Sequence, residues 1–408
     1  MIRVNEIRKD FPMFRNGSTF EGKPLHYLDN AATSFKPYSV IKAVEHYYED
    51  ITANTNRGDY SLAHAADVAY QNARKTVAQF INADLDEVCF TSGDTMGLNE
   101  IAYGLMHLLK PDDEIVLSFA EHASNVLPWF RISKYTGAKI VYVPLTTDGR
   151  VTIENLTKVL NAKTRIVSLA GVTNVLGYPL PVKELCALTH SFHAIFIEDG
   201  AQSVPHYKTD VKDTDVDFLV FSGHKMLGPT GIGVMYGKKR MLELLHPIFM
   251  GGEMNARFHS NFEYTLKDIP DRFEAGTVNI AGALGLAKAC EYLQKIGFDN
   301  IEEHEKKLKA LAVSGLLKNG NCTIYNPEMD GGIVTFNVNG VFAQDAASYL
   351  GSKGVFVRSG NHCAKILPEF LHVDATIRAS FYIYNDENDV QALVDASKHA
   401  EDFLDVFF

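Results

Sequence analysis

Short, continuous runs of apolar residues, separated by longer helical patterns, constrain the fold of this 408-residue chain more than any other feature. Between about residues 20 and 290, the clearest runs lie at 114–118, 139–143, 165–169, 194–198, 217–221 and 231–236. Polar residues do not alternate with apolar ones in these runs, so both faces of each strand must be covered. We therefore predict an α/β fold in which helices enclose a parallel or mixed sheet.

The pattern changes after residue 280. An amphipathic segment over about 281–317 is followed by apolar strands at 332–338 and 377–383. A final helix is predicted to start near Asn385 and to carry one apolar face, formed by Val390, Leu393, Val394, Ala400, Phe403 and Leu404. We predict three parts: an N-terminal arm over 1–20 packed with the smaller domain, a large domain over 21–299, and a smaller α+β domain over 300–408.

Composition and charge exclude several kinds of partner. The formal net charge of −11 argues against a nucleic-acid surface or a polybasic membrane contact. No apolar run approaches the ~20 residues that span a bilayer, and the N-terminus is too charged for a signal peptide. Five cysteines are scattered without a disulfide framework or a metal-ligand spacing. We predict a cytoplasmic protein with reduced thiols, no resident metal, and no nucleic-acid or membrane partner.

Two side chains stand directly beyond predicted strands. Asp199 follows the run 194–198, and Lys225 follows the run 217–221 in the segment 222–225 (Ser-Gly-His-Lys). Ligands of such sheets bind beyond the carboxyl ends of the strands. A lysine and a carboxylate there suit pyridoxal phosphate (PLP), because the amine holds the aldehyde as a Schiff base and the carboxylate keeps the pyridine nitrogen protonated. The alternative is a solvated loop lysine and a helix-capping aspartate.

Three more segments at strand ends carry side chains that suit such a site. Thr95 lies where residues 90–99 lead from a strand into a helix, whose N-terminus suits a phosphate or is simply capped. Asp94 would repel a phosphate unless only its backbone N–H faces the ligand. His122 can stack on a pyridine ring, or it is an ordinary polar surface residue. Asn174 can donate to a substrate carboxylate or a ring oxygen, or it only fills a turn.

One cysteine differs from the others in its surroundings. Cys363 lies in the polar, glycine-containing segment 357–365, where we predict an exposed loop. Positive charge on Arg358, His362 and Lys365 would favour its thiolate form. A zinc site at residues 362 and 363 is a poor interpretation, because adjacent residues rarely ligate one metal. The remaining cysteines are predicted to be three inert core residues, Cys89, Cys186 and Cys290, and one loop residue, Cys322.

Together these motifs resemble those of the Suf-type cysteine desulfurases, which belong to the class V aminotransferase superfamily of fold-type I PLP enzymes. The resemblance extends over nearly the whole chain and also includes the segments 27–33, 54–58, 174–177, 272–277 and 377–380. Related transaminases and epimerases lack the nucleophile of the cysteine loop. The resemblance implies an aspartate aminotransferase-like fold, with a mostly parallel seven-stranded sheet in the large domain and a smaller α+β domain that carries the cysteine loop.

The resemblance also implies how the cofactor is held. Lys225 would be the Schiff-base lysine and proton carrier, and Asp199 the partner of the pyridine nitrogen. His122 would stack on the ring, and Gln202 would contact its phenolic oxygen. The phosphate would be held by Thr95, Ser222 and His224, and by Thr277 from the second subunit of a homodimer.

For the substrate, the resemblance implies L-cysteine. Asn174, Arg378 and Arg358 would bind its carboxylate, and Cys363 would take its sulfur. The products would be L-alanine and a persulfide on Cys363, which would pass to a Suf-type sulfur-acceptor protein for iron–sulfur cluster assembly.

Other functions stay open at this point. A selenocysteine lyase, a cysteine sulfinate lyase or a class V aminotransferase would not require Cys363, and an inactive scaffold would only bind a sulfur-assembly partner. The chain also departs from the family pattern. Asn361, Ala123 and Asn56 stand where histidine is usual, Ser92 and Asp94 replace arginine and threonine, and Lys365-Ile366 replaces a more common pair ending in proline. These changes bear on how Cys363 is tuned and which acceptor its loop recognises.

Overall fold

A computed structural model describes residues 2–15, 17–55 and 58–406. In chain order its strands are β1 Thr19–Phe20, β2 Lys23–Pro24, β3 His26–Tyr27, β4 Val88–Thr91, β5 Glu114–Ser118, β6 Lys139–Val143, β7 Thr164–Ala170, β8 Ile195–Asp199, β9 Phe218–Ser222, β10 Gly233–Gly237, β11 Asn255–Phe258, β12 Tyr264–Leu266, β13 Cys322–Ile324, β14 Ile333–Val338, β15 Val355–Phe356, β16 Arg358–Gly360 and β17 Thr376–Ser380. Its α-helices are α1 Val4–Lys9, α2 Tyr38–Asp50, α3 Ser61–Ile81, α4 Asp94–Gly104, α5 Leu127–Thr136, α6 Ile153–Thr157, α7 Val182–Ser191, α8 Val211–Thr214, α9 Lys239–Leu244, α10 Ile280–Ile296, α11 Phe298–Asn319, α12 Ala343–Ser352, α13 Leu367–Leu371 and α14 Glu387–Lys398.

The central sheet has seven strands in the order β4-β10-β9-β8-β7-β5-β6. The strands from β9 to β6 pair in parallel, and β10 runs antiparallel to both of its neighbours. Nearly every residue of β7, β8 and β9 is buried, which explains why these runs are apolar without alternation. The predicted α/β fold with a mostly parallel seven-stranded sheet is confirmed.

Strand pairing brings three chain segments to one edge of this sheet. The parallel strands β8 and β9 end together, which places Asp199 near Ser222. Gly233 on β10 is in register with both Ser222 and Thr91, so the end of β4 reaches the same edge. A Cβ atom on Gly233 would lie 2.5 Å from the Cα of Gly93, so only glycine permits this close approach.

A four-stranded sheet, β13-β14-β17-β16, forms the C-terminal part, and its apolar cluster consists of residues between 308 and 400 together with Leu28. The predicted amphipathic segment is two helices, α10 and α11, because Gly297 between them has a φ of +86°. β17 is shorter than the predicted strand, since the backbone turns where Tyr382 and Asn385 hydrogen-bond to each other. The predicted final helix stops at Lys398, and a 3-10 segment follows in which Leu404 is 55% exposed.

The N-terminal arm is fixed by charge and by aromatic packing. Arg8 donates to Asp389 Oδ2 at 2.8 Å and to the backbone oxygen of Tyr384 at 2.8 Å. The buried ring of Phe11 packs edge-on against Tyr292 and Tyr384. The arm therefore contacts α10 as well as residues of the C-terminal part, and domain boundaries at residues 20 and 299 stay a prediction.

A buried ion pair ties the segment 272–277 to the large sheet. Glu274 accepts two hydrogen bonds from Arg74, at 2.7 and 2.8 Å, and others from the Phe90 backbone N–H and the Tyr70 hydroxyl, both at 2.7 Å. Arg74 is 1% exposed. Removing one partner of such a pair leaves the other charge buried and uncompensated.

We predict that Glu274→Ala lowers the free energy of unfolding by about 3–5 kcal/mol, because Arg74 then stays buried without its carboxylate. Glu387→Ala is the matched control, since its ion pair with Lys307 is more than half exposed and contributes at most about 1 kcal/mol. Denaturant unfolding of both variants measures the difference. Equal losses of stability would contradict the prediction.

Candidate active site

Asp199 and Lys225 share one site at the edge of the central sheet. Asp199 ends β8, is buried, and accepts the backbone N–H of Ala201 at 3.0 Å. Lys225 ends the 3-10 turn Gly223–Lys225, which follows β9 directly. Burial lowers the pKa of Lys225, and the nearby carboxyl groups of Asp94 and Asp199 act in the opposite direction. The structure thus brings together the two side chains on which the cofactor prediction rests.

The beginning of α4 closes one side of this site. The backbone N–H of Asp94 donates to Ser222 Oγ at 2.8 Å. Thr95 Oγ1 lies 2.7 Å from Ser124 Oγ, which in turn lies 3.0 Å from Nδ1 of His122. A chain of hydrogen bonds therefore joins two of the predicted cofactor-binding residues, Thr95 and His122, through a serine that the sequence analysis did not single out.

His122 is a neutral imidazole with a defined tautomer. Its Nδ1 accepts the backbone N–H of Ser124 at 3.1 Å, so the ring proton is on Nε2. Burial lowers the pKa of His122 to about 4, and the charge of Lys225 adds to this effect. Burial, with Lys225 and Lys36, also lowers the pKa of His224 to about 4. Both rings are therefore uncharged near neutral pH.

A buried carboxyl group, Glu121, lies behind His122. It accepts hydrogen bonds from the Ser118 hydroxyl at 2.6 Å, the Asn125 amide at 2.8 Å and the Ala170 backbone N–H at 2.9 Å. Burial raises the pKa of Glu121 to about 8. Sequence reasoning missed this residue, because a glutamate after a strand is usually solvated.

Two arginines form the opposite side of the site. Arg358 on β16 and Arg378 on β17 are directly in register across the antiparallel pair. Arg378 is buried, donates to the Asn174 backbone oxygen at 2.7 Å, and lies 3.3 Å from Asp29 Oδ1. Burial lowers the pKa of Arg378 to about 10, and Arg358 contributes in the same direction. Two facing cations favour an anion between them. The sequence analysis did not predict the contact with Asp29.

Cys363 lies on an exposed turn with an uncommon backbone conformation. His362 and Cys363 have φ values of +50° and +58°, in the left-handed region that non-glycine residues rarely adopt. The turn is held by the Ala123 backbone N–H, which donates to the Cys363 oxygen, and by the Asn174 amide, which donates to the His362 oxygen, both at 2.7 Å. Arg358 Nη2 lies 4.0 Å from Cys363 Sγ. The thiol is thus accessible and next to a fixed positive charge.

His362 does not supply the positive charge that the sequence suggested. The side chain is 4% exposed, and its Nε2 lies 2.9 Å from the Thr376 hydroxyl. Burial lowers the pKa of His362 to about 3, with Arg378 and Arg358 adding to the effect. The prediction that His362 favours a Cys363 thiolate is therefore wrong, because a neutral ring cannot do so.

The other cysteines lie as predicted, with one exception. Cys89, Cys186 and Cys290 are buried, which confirms that they are core residues. Cys322 was predicted on a loop but begins strand β13 and is partly buried. Its burial raises the pKa of the Cys322 thiol to about 11. The prediction failed because β13 is only three residues long and gives little periodic signal.

Several buried polar atoms of the site have no hydrogen-bond partner among the described residues. These atoms are Asp94 Oδ1, Asn174 Oδ1, Gln202 Oε1, His362 Nδ1 and Arg378 Nε. Buried polar groups are normally paired, so the site suits a polar ligand with several donors and acceptors. Gln202 is held at its other end, where Nε2 donates to the Ala31 oxygen at 2.7 Å. The residues present therefore fit a cofactor such as PLP.

Among the described residues, one predicted cofactor-binding residue, Thr277, is not hydrogen-bonded to this cluster. Thr277 lies on an exposed segment, and within residues 2–15, 17–55 and 58–406 no hydrogen bond connects it to Ser222 or His224. Asn56, one of the departures from the family pattern, lies outside the described residues, as does Arg57 of the segment 54–58.

The sheet order, with a lysine and an aspartate beyond neighbouring parallel strands, is that of a fold-type I PLP protein. The family model for aminotransferase class-V matches residues 26–393, and the chain belongs to this family. Probable cysteine desulfurases of Halalkalibacterium halodurans and Staphylococcus aureus are 44% and 42% identical to it. Each alignment covers 99% of this chain and at least 98% of the relative.

Solved structures agree with the sequence relatives. The cysteine desulfurase CsdA from Escherichia coli superimposes with a TM-score of 0.91 at 34% identity, covering 98% of this chain and 99% of the other. An apo cysteine desulfurase from Thermococcus onnurineus gives a TM-score of 0.92 at 35% identity, covering 98% of both chains. Among the described helices, none is long and apolar enough to cross a membrane.

We predict that acid destabilises this protein partly through His362. Its pKa is about 3 in the folded chain against an ordinary value near 6.5, so below pH 6.5 only the unfolded chain takes up this proton. Stability contributed by the neutral ring is present above pH 6.5 and is lost progressively as the pH falls toward 3. In His362→Gln, which keeps a donor for Thr376, the thermal midpoint should fall less between pH 7 and pH 5.

The control for this measurement is His46→Gln, because His46 is exposed. Its midpoint should show the same pH dependence as the unaltered protein. If His362→Gln also follows the unaltered protein, burial of the neutral ring is not a source of the acid sensitivity.

Proposed function

We propose that this protein is a PLP-dependent cysteine desulfurase that converts L-cysteine into L-alanine and stores the sulfur as a persulfide on Cys363. The observation that carries the proposal is the exposed Cys363 thiol, 4.0 Å from Arg358, on a turn hydrogen-bonded to the site that contains Lys225 and Asp199. Relatives over 40% identical along their whole length, described as probable cysteine desulfurases, support it.

The residues that would hold PLP surround the edge of the sheet. Asp199 would pair with the pyridine nitrogen, and His122 would lie against the ring. Gln202 Nε2 already donates to the Ala31 oxygen, so a contact with the phenolic oxygen would use its second proton. The phosphate would be held by Thr95 at the start of α4 and by Ser222 and His224 at and after the end of β9. When bound, the cofactor supplies an electron sink for negative charge that develops on the substrate Cα.

Lys225 would carry the proton that moves at the substrate Cα. Its environment supports this role, because burial lowers the pKa of the amine and so favours the neutral, basic form. His122 is also neutral and presents Nε2–H, so its uncharged ring can lie against the cofactor without competing with Asp199 for the proton on the pyridine nitrogen.

The substrate carboxylate would bind between Arg358 and Arg378. Arg378 has a free Nε in a buried position, and its Nη1 is fixed by Asn174, so the guanidinium is oriented before the substrate arrives. Asn174 Nδ2 already donates to the His362 oxygen, so a contact with the carboxylate would use its second proton. Because Arg358 also lies beside Cys363, this one cation would interact with both the substrate carboxylate and the Cys363 thiolate.

Cys363 would then act as the nucleophile. Its thiolate attacks the substrate sulfur, a sulfur–sulfur bond forms, and the substrate Cβ–S bond breaks. The electron pair of that bond stays with Cβ, which takes up a proton and becomes the methyl group of alanine. A cysteine on an exposed turn can move to the substrate and afterwards meet an acceptor, which the buried Cys89 cannot.

We further propose a cytoplasmic homodimer that passes its sulfur to a Suf-type acceptor for iron–sulfur cluster assembly. Support for the dimer comes from exposed apolar side chains near the segment that carries Thr277. A groove of about 510 Å³ is lined there by Phe249, Met250, Gly276 and Val278, and the first two are more than half exposed. Apolar surface of this kind marks an interaction site.

The alternative functions have less support. A lyase or aminotransferase that does not require Cys363 would not explain why this thiol lies beside Arg358. An inactive scaffold would not need the buried cluster of Asp94, Asp199 and Lys225, whose charges are costly to bury.

We predict that Cys363→Ser binds PLP and cysteine but forms alanine at least about a hundredfold more slowly, because a serine hydroxyl is a far weaker nucleophile than a thiolate. Lys225→Ala should lose turnover and also the visible spectrum of the loaded protein. Cys89→Ser, the matched control, should retain activity. Alanine release and the mass of the Cys363 peptide after incubation with cysteine are measured. Alanine formed by Cys363→Ser at the wild-type rate would indicate a lyase without a protein nucleophile.

We predict that the loaded protein is a dimer of about twice 45.3 kDa in light scattering. If Thr277 reaches the partner's phosphate site, Thr277→Val should weaken PLP binding by about tenfold, since it loses one hydrogen bond to a charged group. Thr323→Val, on an exposed strand elsewhere, is the control. A fully active monomer would contradict the shared site.

A further inference from the structure

Asp94 is the one residue at the start of α4 that does not suit a phosphate-binding helix end. Its backbone N–H donates to Ser222 Oγ at 2.8 Å, whereas the sequence analysis expected this N–H to face the phosphate. The side chain does not point away into solvent. It is 6% exposed, and its Oδ1 has no hydrogen-bond partner within the described parts of the chain.

Two charged groups face this carboxyl group. One is Asp199 at the end of β8, which raises the pKa of Asp94, and the other is Lys225 after β9, which lowers it. Two carboxylates thus share a single nearby cation. Two carboxylates buried close together repel each other, which favours protonation of one of them.

We propose that Asp94 is a neutral carboxylic acid in the cofactor-loaded protein and donates a hydrogen bond to the Asp199 carboxylate. The pair then carries one negative charge, which is the charge needed opposite a protonated pyridine ring. This inference rests on the proposed PLP site but not on the cysteine chemistry. Asp94 is a positioning residue in this account, because it acts through Asp199.

The surroundings of Asp94 favour the protonated form of this residue over that of its neighbour. Burial and the adjacent Asp199 raise the pKa of Asp94 well above its ordinary value. Asp199 Oδ1 accepts the Ala201 backbone N–H at 3.0 Å, so Asp199 already acts as a hydrogen-bond acceptor.

The proposal has a consequence for cofactor binding. At high pH the shared proton is lost, and a second negative charge then opposes the phosphate and weakens PLP binding. An amide at position 94 has no proton to lose. Ionisations outside the cluster of Asp94, Asp199 and Lys225 are common to both proteins and cancel in the ratio of their dissociation constants.

The test is a PLP titration of the apo full-length protein, followed by fluorescence, from pH 6.5 to pH 9.5. The ratio of the dissociation constants of the unaltered protein and Asp94→Asn should be pH-independent near pH 6.5 and then rise by about tenfold toward pH 9.5. Asp94→Thr should behave like Asp94→Asn, which keeps the test valid if one variant folds poorly. Asp112→Asn, at an exposed position, should follow the unaltered protein throughout.

A second readout counts protons directly. Calorimetry of PLP binding at pH 9 in two buffers of different ionisation enthalpy should show about one more proton taken up by the unaltered protein than by Asp94→Asn. A constant ratio of dissociation constants across the pH range, or equal proton uptake, would overturn the proposal. Failure of the unaltered protein to bind PLP at all would instead overturn the proposed cofactor site, and this inference with it.

Discussion

The parallel pairing of β8 with β9 is the constraint on which the site depends. It stops both strands at one edge of the sheet, so an aspartate and a lysine 26 residues apart become neighbours. The glycine at 233 extends this arrangement, because its missing side chain lets the beginning of α4 approach Ser222. A polar site forms there without interrupting the buried apolar strands beneath it.

Burial rather than solvation sets the charges in this site. His122 and His362 are neutral because water is excluded from them, and Glu121 has a raised pKa for the same reason. The charges that remain are placed in pairs, with Asp29 near Arg378 and Asp199 near Lys225. Each buried charge therefore has a counterpart either in the chain or in a ligand, as the cost of isolated buried charges requires.

The sequence predicted the sheet and the residues that end its strands, because continuous apolar runs and polar strand ends are local signals. It also predicted that Cys363 is exposed. It failed for features that depend on packing between distant segments. The surroundings of the Asp94 side chain depend on β8, and the neutrality of His362 depends on β17. Each strand lies more than ten residues away in the chain from the residue that it affects. The break at Gly297 was visible as a glycine, but its left-handed backbone was not.

The left-handed backbone conformation of His362 and Cys363 places strain on the cysteine loop. Each such residue costs roughly 1–2 kcal/mol relative to a relaxed backbone. The hydrogen bonds from Ala123 and Asn174 hold the loop in this state. A protein that draws the loop into an extended strand would relax this strain, but it would also have to replace the hydrogen bonds from Ala123 and Asn174. The strained conformation of the loop therefore favours a partner that can hold the loop extended.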